Sequence, residues 1–118
     1  MSASEVICVL LPLRIVSVAN LREHWRTRAG RAKLHRTTAA LLLRSYSPPV
    51  PPLTITLTRV AARKLDSDNL ATAFKGVRDG VADWLGIDDG DERLTWVYAQ
   101  RKAKVSATAE VAIFGAME

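Results

Sequence analysis

Two aspartates, Asp66 and Asp68, stand two apart in the stretch KLDSDNLATAFKGVRDG, and a second acidic run, DDGDE, follows at 88–92. From Asp66 to Glu92 there are eight acids and two bases, Lys75 and Arg78, a net charge of −6. The remaining residues hold fifteen bases against four acids, a net charge of +11. Two carboxylates held ~4 Å apart repel by about 4 kcal/mol at an effective dielectric of ~20. A protein that converges three must therefore protonate one or bind a cation. Carboxylates without His or Cys partners suit Mg²⁺, with Mn²⁺ as its substitute. Such an ion beside a lysine, on a chain whose other residues attract a polyanion, is the equipment of phosphodiester hydrolysis. The ion activates water and offsets charge on the phosphorus, and the lysine steadies that charge or the leaving oxygen.

The spacing of these residues sets their relation. In an extended chain, Asp66 and Asp68 point the same way, roughly 6.6–7 Å apart, and one cation between them reaches both. On a helix, Asp68, Lys75 and Asp79 fall within about 20° of one line. Lys75 and Asp79, four apart, also suit a simple ion pair. Plainer roles stand beside these. Asp68 or Asn69 suits a helix N-cap, Lys75 suits a surface position, and DDGDE suits a solvated turn. The DDGDE run lacks the spacing and the closing Glu of an EF-hand calcium loop.

The elements that must position these residues follow from hydrophobic pattern. Residues 5–17, dense in Val, Ile and Leu, read as a strand, with Pro12 at a bulge or edge. Gly30 divides the next segment into a basic loop and a helix from about Arg31 to Arg44 that carries apolar Leu34, Ala40 and Leu41. The run SPPVPP at 47–52 is a stiff connector. LTITLTRV at 53–60 alternates as a strand with one buried face. Leu70, Phe74, Val77, Val81 and Trp84 or Leu85 form one apolar stripe, predicting a single helix over 68–85 that ends at Gly86. Residues 93–101 and 105–114 read as two strands joined by a short turn near Ala103, predicted to pair antiparallel. The order is β-α-β-α-β-β. It implies an α/β (α+β) fold, one small domain over residues 1–118, with a mixed sheet and helices packed on it.

Composition narrows the class. A chain of 118 residues with 48% hydrophobic and 25% charged residues suits one globular domain. One cysteine, Cys8, excludes an internal disulfide framework and reads as a buried small hydrophobe. The N-terminal apolar run is too short for a membrane span, and no Lys or Arg precedes it, so the expectation is a cytoplasmic protein with no membrane partner. The net charge of +5 points to an anionic partner, nucleic acid being the commonest.

The stretches DSDNL at 66–70, KGVRD at 75–79 and DD at 88–89 ahead of a strand resemble the RusA-type Holliday junction resolvases, common in phages and prophages. The order of elements is similar over nearly the whole chain, while motif-level likeness is confined to 66–89. The resemblance implies a Mg²⁺-dependent homodimeric endonuclease, without organic cofactor, that cuts four-way DNA junctions in paired symmetric strands. It implies Asp66, Asp68 and Asp89 as the essential metal-binding carboxylates, Asp88 as their neighbour, Lys75 as the catalytic lysine, and Asp79 as the acid four residues after it. One spacing departs from the best-known member. Lys75 follows Asp68 by seven residues instead of four, and Thr72 occupies the four-residue offset. On one helix that offset keeps the lysine on the aspartate's face but moves it about 4–5 Å further along.

Candidates for DNA backbone contact are Arg22, Arg26, Arg28, Arg31, Lys33 and Arg36, with Arg63 and Lys64 flanking the acidic pair. Trp25 suits stacking on an exposed base or packing. Trp84 and Trp96 suit core or dimer contacts. His24 and His35 have no carboxylate or Cys partners in local sequence and are not expected to ligate metal. A two-fold-symmetric substrate asks for a homodimer with two active sites. Alternatives to the resolvase are a general nuclease of branched DNA, a non-catalytic DNA-binding protein whose acids only cap a helix and balance charge, and a structural calcium site.

Overall fold

A computed structural model describes residues 3–16, 25–104 and 108–116. Its elements are β1 (Ala3–Leu11), α1 (Trp25–Leu43), β2 (Leu53–Ala61), α2 (Ser67–Ala73), α3 (Lys75–Leu85), β3 (Leu94–Lys102) and β4 (Thr108–Ala116). The strands form one mixed four-stranded sheet in the order β1-β4-β2-β3. β4 is antiparallel to both β1 and β2, and β3 is parallel to β2.

Strand alternation sorts the side chains into two faces. On one face, rows run straight across the sheet. Ile7, Ile113, Ile55 and Trp96 form one row, and Val9, Val111, Leu57 and Tyr98 the next. The helices cover this face, and the core of Ile55, Leu57, Val111, Ile113, Phe74, Val77 and Val81 is fully buried there. The opposite face carries Thr54, Thr56 and Thr58, exposed Leu10 and Val97, and Cys8. Cys8 is thus exposed rather than buried, because its neighbours Ile7 and Val9 take the covered side.

Several elements differ from the sequence expectation, each for a physical reason. β1 ends at Leu11, immediately before Pro12, which lacks the N–H that a ladder needs. α1 runs unbroken through Gly30, which is exposed with open space around it, so a glycine costs that helix only about 1 kcal/mol relative to alanine. Its inward residues are His35, Ala39 and Leu43, at four-residue intervals, whereas Leu34 and Leu41 are exposed. The last two strands do not pair, because the parallel β2–β3 crossover leaves β4 on the far side of β2. Period-two alternation marks a strand but says nothing of its partner.

The stripe over 68–85 forms two helices that meet at Phe74. This residue caps α2 at its C-terminus and α3 at its N-terminus, with φ −89° and ψ 0°. The bend sends the Phe74 ring wholly into the core, 6.1 Å from the Tyr98 ring centroid. It also lays the next turns of α3 against α1. A Cβ on Gly76 would stand 2.7 Å from the Ala32 carbonyl oxygen, and one on Gly80 would run into the Arg36 carbonyl oxygen. Gly86, at φ 71°, ends α3 as its position predicts.

Candidate active site

The carboxyl ends of β2 and β3 build the platform for Asp66. Arg59 and Gln100 are paired neighbours on the covered face. The Gln100 side chain accepts from the Leu65 N–H at 2.8 Å and donates to the Leu65 carbonyl at 2.8 Å, clamping the residue before Asp66. Arg59 is buried. It donates to the Ile15 carbonyl at 2.7 Å and to the Arg63 carbonyl, which ties down the start of the same loop. Burial, with Arg14 nearby, lowers the Arg59 pKa.

Asp66 is the N-cap residue of α2, with φ −61° and ψ 152°, yet its side chain makes no capping hydrogen bond. Asp68 lies in the first helical turn, so the extended spacing expected of the pair ends at Asp66. Neither Asp68 nor Asn69 is the cap. Both carboxylates are exposed, and neither has a partner among the described residues. Thr72 turns its hydroxyl back to donate to the Asp68 carbonyl at 3.0 Å. Lys75 opens α3 rather than continuing the helix of Asp68, and its Nζ lies 3.3 Å from Asp79.

Asp88 and Asp89 lie in the loop between α3 and β3, and Arg78 holds that loop. Its guanidinium donates to the Asp89 carboxylate at 2.8 Å, to the Asp89 carbonyl at 3.1 Å and to the Tyr98 hydroxyl at 3.0 Å. It also lies 4.7 Å from the Trp96 ring centroid, and the Trp96 indole N–H donates to the Asp89 carbonyl at 2.8 Å. Burial alone would push the Asp89 carboxyl up. Hydrogen bonding and charge from Arg78, helped by Asp88 and by Lys75 at longer range, hold it below the ordinary carboxylate value. The same exchange leaves the Arg78 pKa raised: burial lowers it, and Tyr98 and Asp89 outweigh burial.

The acids therefore divide. On α3 and the following loop four meet cations: Asp79 with Lys75, Asp83 with Arg36 at 2.6 Å, Asp89 with Arg78, and Asp91 with Arg93 at 3.0 Å, while among the described residues Asp88 accepts only from the Gly90 N–H. Asp66 and Asp68 meet none among the described residues. Among the described residues, no three His, Cys, Asp or Glu side chains stand close enough to hold one metal ion. The fit to a divalent cation is thus partial. Asp66 and Asp68 offer uncommitted oxygen donors of the right chemistry, while the Asp89 carboxylate is committed to Arg78.

Of the DNA-contact candidates, Arg22 lies outside the described residues, as does His24, and for Arg26 and Trp25 only the helical backbone is described. Arg28 and Arg31 line a cleft with Lys75. Lys33 lies on a separate groove of α1, and Arg36 is spent on Asp83. Arg63 and Lys64 are exposed between β2 and Asp66. Trp84 is half-buried and donates to the Tyr46 carbonyl at 3.3 Å. Sequence reasoning missed Arg59, Arg78, Tyr98 and Gln100. The one signal for them was two-residue spacing on β3, which puts Trp96, Tyr98 and Gln100 on the covered face with Leu94. No helix is long and apolar enough to cross a membrane among the described residues. No family model matches the chain, and no curated protein matches it.

Proposed function

We propose that this protein is a Mg²⁺-dependent endonuclease of branched DNA that resolves four-way junctions as a homodimer. One observation carries the reading. Two exposed carboxylates without partners among the described residues stand at the head of α2, which follows a loop clamped by buried Arg59 and by Gln100, in a chain of net charge +5. The resemblance of residues 66–89 to the RusA-type resolvases supports the same chemistry. The homodimer rests on the two-fold symmetry of the substrate.

Asp66 and Asp68 would hold the ion; the resemblance adds Asp89 and Asp88, and Asp89 would have to exchange Arg78 for the ion to join them. When bound, the ion supplies water activation and charge neutralisation at phosphorus. The chain's own residues supply the rest. Gln100 and Arg59 fix the backbone from which Asp66 projects. Lys75 offers its ammonium to the phosphate or the leaving oxygen. Arg63 and Lys64 bracket the approach of the strand to be cut.

A labelled four-way junction and a linear duplex of the same sequence, each incubated in Mg²⁺ and in EDTA, test this. Symmetric nicks in the junction alone, only with Mg²⁺, are expected. Equal cutting of both substrates would reduce the protein to a general nuclease. Binding without cutting, in Mn²⁺ as well, would leave a DNA-binding protein. Asp68→Asn is expected to abolish cutting and preserve binding. It is expected to leave the fold intact, since the Asp68 side chain has no partner among the described residues.

A further inference from the structure

The helices pack on the face of the sheet that carries Ile55 and Leu57, while the other face is open, with Leu10 65% and Val97 40% exposed. A sheet face turned to water ordinarily carries polar and charged side chains. This one is largely apolar and threonine. Its middle row runs Cys8, Ala112, Thr56, Val97, and the next runs Leu10, Glu110, Thr58, Ala99. Phe114 and Thr54 stand side by side in the row beyond. Among the described side chains of this face only Arg101 and Glu110 are charged, and they pair with each other at 2.7 Å. A chain of which 25% is charged thus presents one broad face without net charge.

We propose that this open face is a self-association surface, on which a second copy of the chain docks sheet to sheet. Charge selects that occupant. Arg101 is spent on Glu110, so the face offers no cation to a phosphate backbone or an anionic lipid surface. Two copies of net charge +5 repel each other, and an uncharged face is where they meet at least cost. Size agrees. Four strands ~4.8 Å apart, over about six residue steps of ~3.4 Å, outline roughly 400 Å². With the relief of the side chains, two such faces bury on the order of 1,000 Å² in total, the lower bound of a specific interface. Shape agrees as well. Aligned sheets pack ~10 Å apart with interdigitated side chains. When a two-fold axis runs along the strands through the middle of the sheet, each row faces itself reversed. Leu10 of each copy then meets Ala99 of the other, Val97 meets Cys8, and Thr56 meets Ala112, a larger side chain against a smaller one each time. The same axis sets both candidate centres at one end of the sandwich, because the carboxyl ends of β2 and β3 point the same way in both copies. As the dimer of a junction nuclease the surface rests on the nuclease reading; as a self-association surface it stands on the sheet alone.

The test uses the full chain in EDTA without DNA, by sedimentation equilibrium from micromolar to millimolar concentration. A reversible monomer–dimer equilibrium is expected. Thr56→Arg and Val97→Lys each press an unpaired charge against an uncharged face and should weaken the dimer at least about tenfold. Val97 is exposed and on an edge strand, so Val97→Lys carries the test should Thr56→Arg fail to fold. Leu34→Lys, on the exposed side of α1, should dimerise as the parent does. A short bismaleimide should join the copies of Val97→Cys through exposed Cys8, and leave the parent unjoined, since its two Cys8 side chains lie at opposite edges of the sandwich. A chain that stays monomeric throughout overturns the proposal and leaves the face to another partner. A dimer unchanged in Val97→Lys, or one lost in Leu34→Lys alone, overturns it in favour of a different surface. A parent joined as readily as Val97→Cys overturns this packing. Junction cutting by monomeric Val97→Lys breaks the link to the nuclease and leaves the surface standing. A dimer that obeys these variants but cuts no junction sinks the nuclease reading alone.

Discussion

Arg78 spends its whole guanidinium on one loop. Three donor groups reach Asp89 and Tyr98, and the planar cation lies over Trp96. Arg78→Ala should destabilise the protein by about 1–3 kcal/mol, since it strips charge-assisted hydrogen bonds from a half-buried site. Arg78→Lys should recover less than half of that, because an ammonium lacks the planar fork. Urea unfolding with Trp fluorescence measures both. On the nuclease reading Arg78 also competes with the divalent ion for Asp89. Arg78→Ala should therefore bind Mn²⁺ more tightly by calorimetry even as it loses stability, and weaker binding would refute that competition. The charge arithmetic of residues 66–92 marked the acids. The i,i+4 pair of Lys75 and Asp79 was legible, but the cation of Asp89 was not, because Arg78 reaches it only through the fold of a loop eleven residues on.

At the scale of elements, the close approach of α1 and α3 depends on Gly76 and Gly80. Gly80→Ala pushes a methyl into the Arg36 carbonyl and the Ala39 side chain, both on the rigid face of α1. The gain in helix propensity, about 1 kcal/mol, is outweighed by overpacking of about 1–3 kcal/mol or more. A lowered melting temperature is expected, whereas Gly30→Ala, in open space, should raise it. The sequence stripe from Leu70 to Leu85 found the buried face of these helices. It missed the bend at Phe74, since the offsets along the stripe barely change when one residue turns. Similarly, α1 hides its inward face. It buries His35 and Ala39 against glycines and exposes Leu34 and Leu41, so hydrophobicity marks the wrong side.

For the whole molecule, acid should act in two windows. The carboxyls of Asp83 and Asp89 are held below their ordinary values by Arg36 and by Arg78, and that of Asp91 is held at about 2 by Arg93. The unfolded chain takes up these protons first, so their stabilisation is complete above about pH 4 and is lost as pH falls through the folded values. His35 acts earlier. Burial and Arg31 lower its pKa, and the unfolded imidazole therefore protonates first, below about pH 6.5. Stability should fall from that pH downwards, and His35→Gln should remove this upper slope while leaving the acid limb. Urea midpoints measured from pH 8 to pH 2 check both. The strands and the helices that cover them were legible from alternation and periodicity. The strand order was not, because it follows from a crossover that no local pattern encodes.

β3 is an edge strand, hydrogen-bonded to β2 alone. It also carries the fastenings of both acidic segments: Gln100 for the loop before Asp66, and Trp96 and Tyr98 for the loop of Asp89. Edge strands open at lower free energy than the strands they flank. Amide hydrogens of β3, of residues 63–66 and of residues 88–91 should therefore exchange with solvent as one cooperative unit, ahead of β4 and β2. A single local opening frees both loops at once, so the fraying of one peripheral strand sets how long the backbones before Asp66 and at Asp89 stay held.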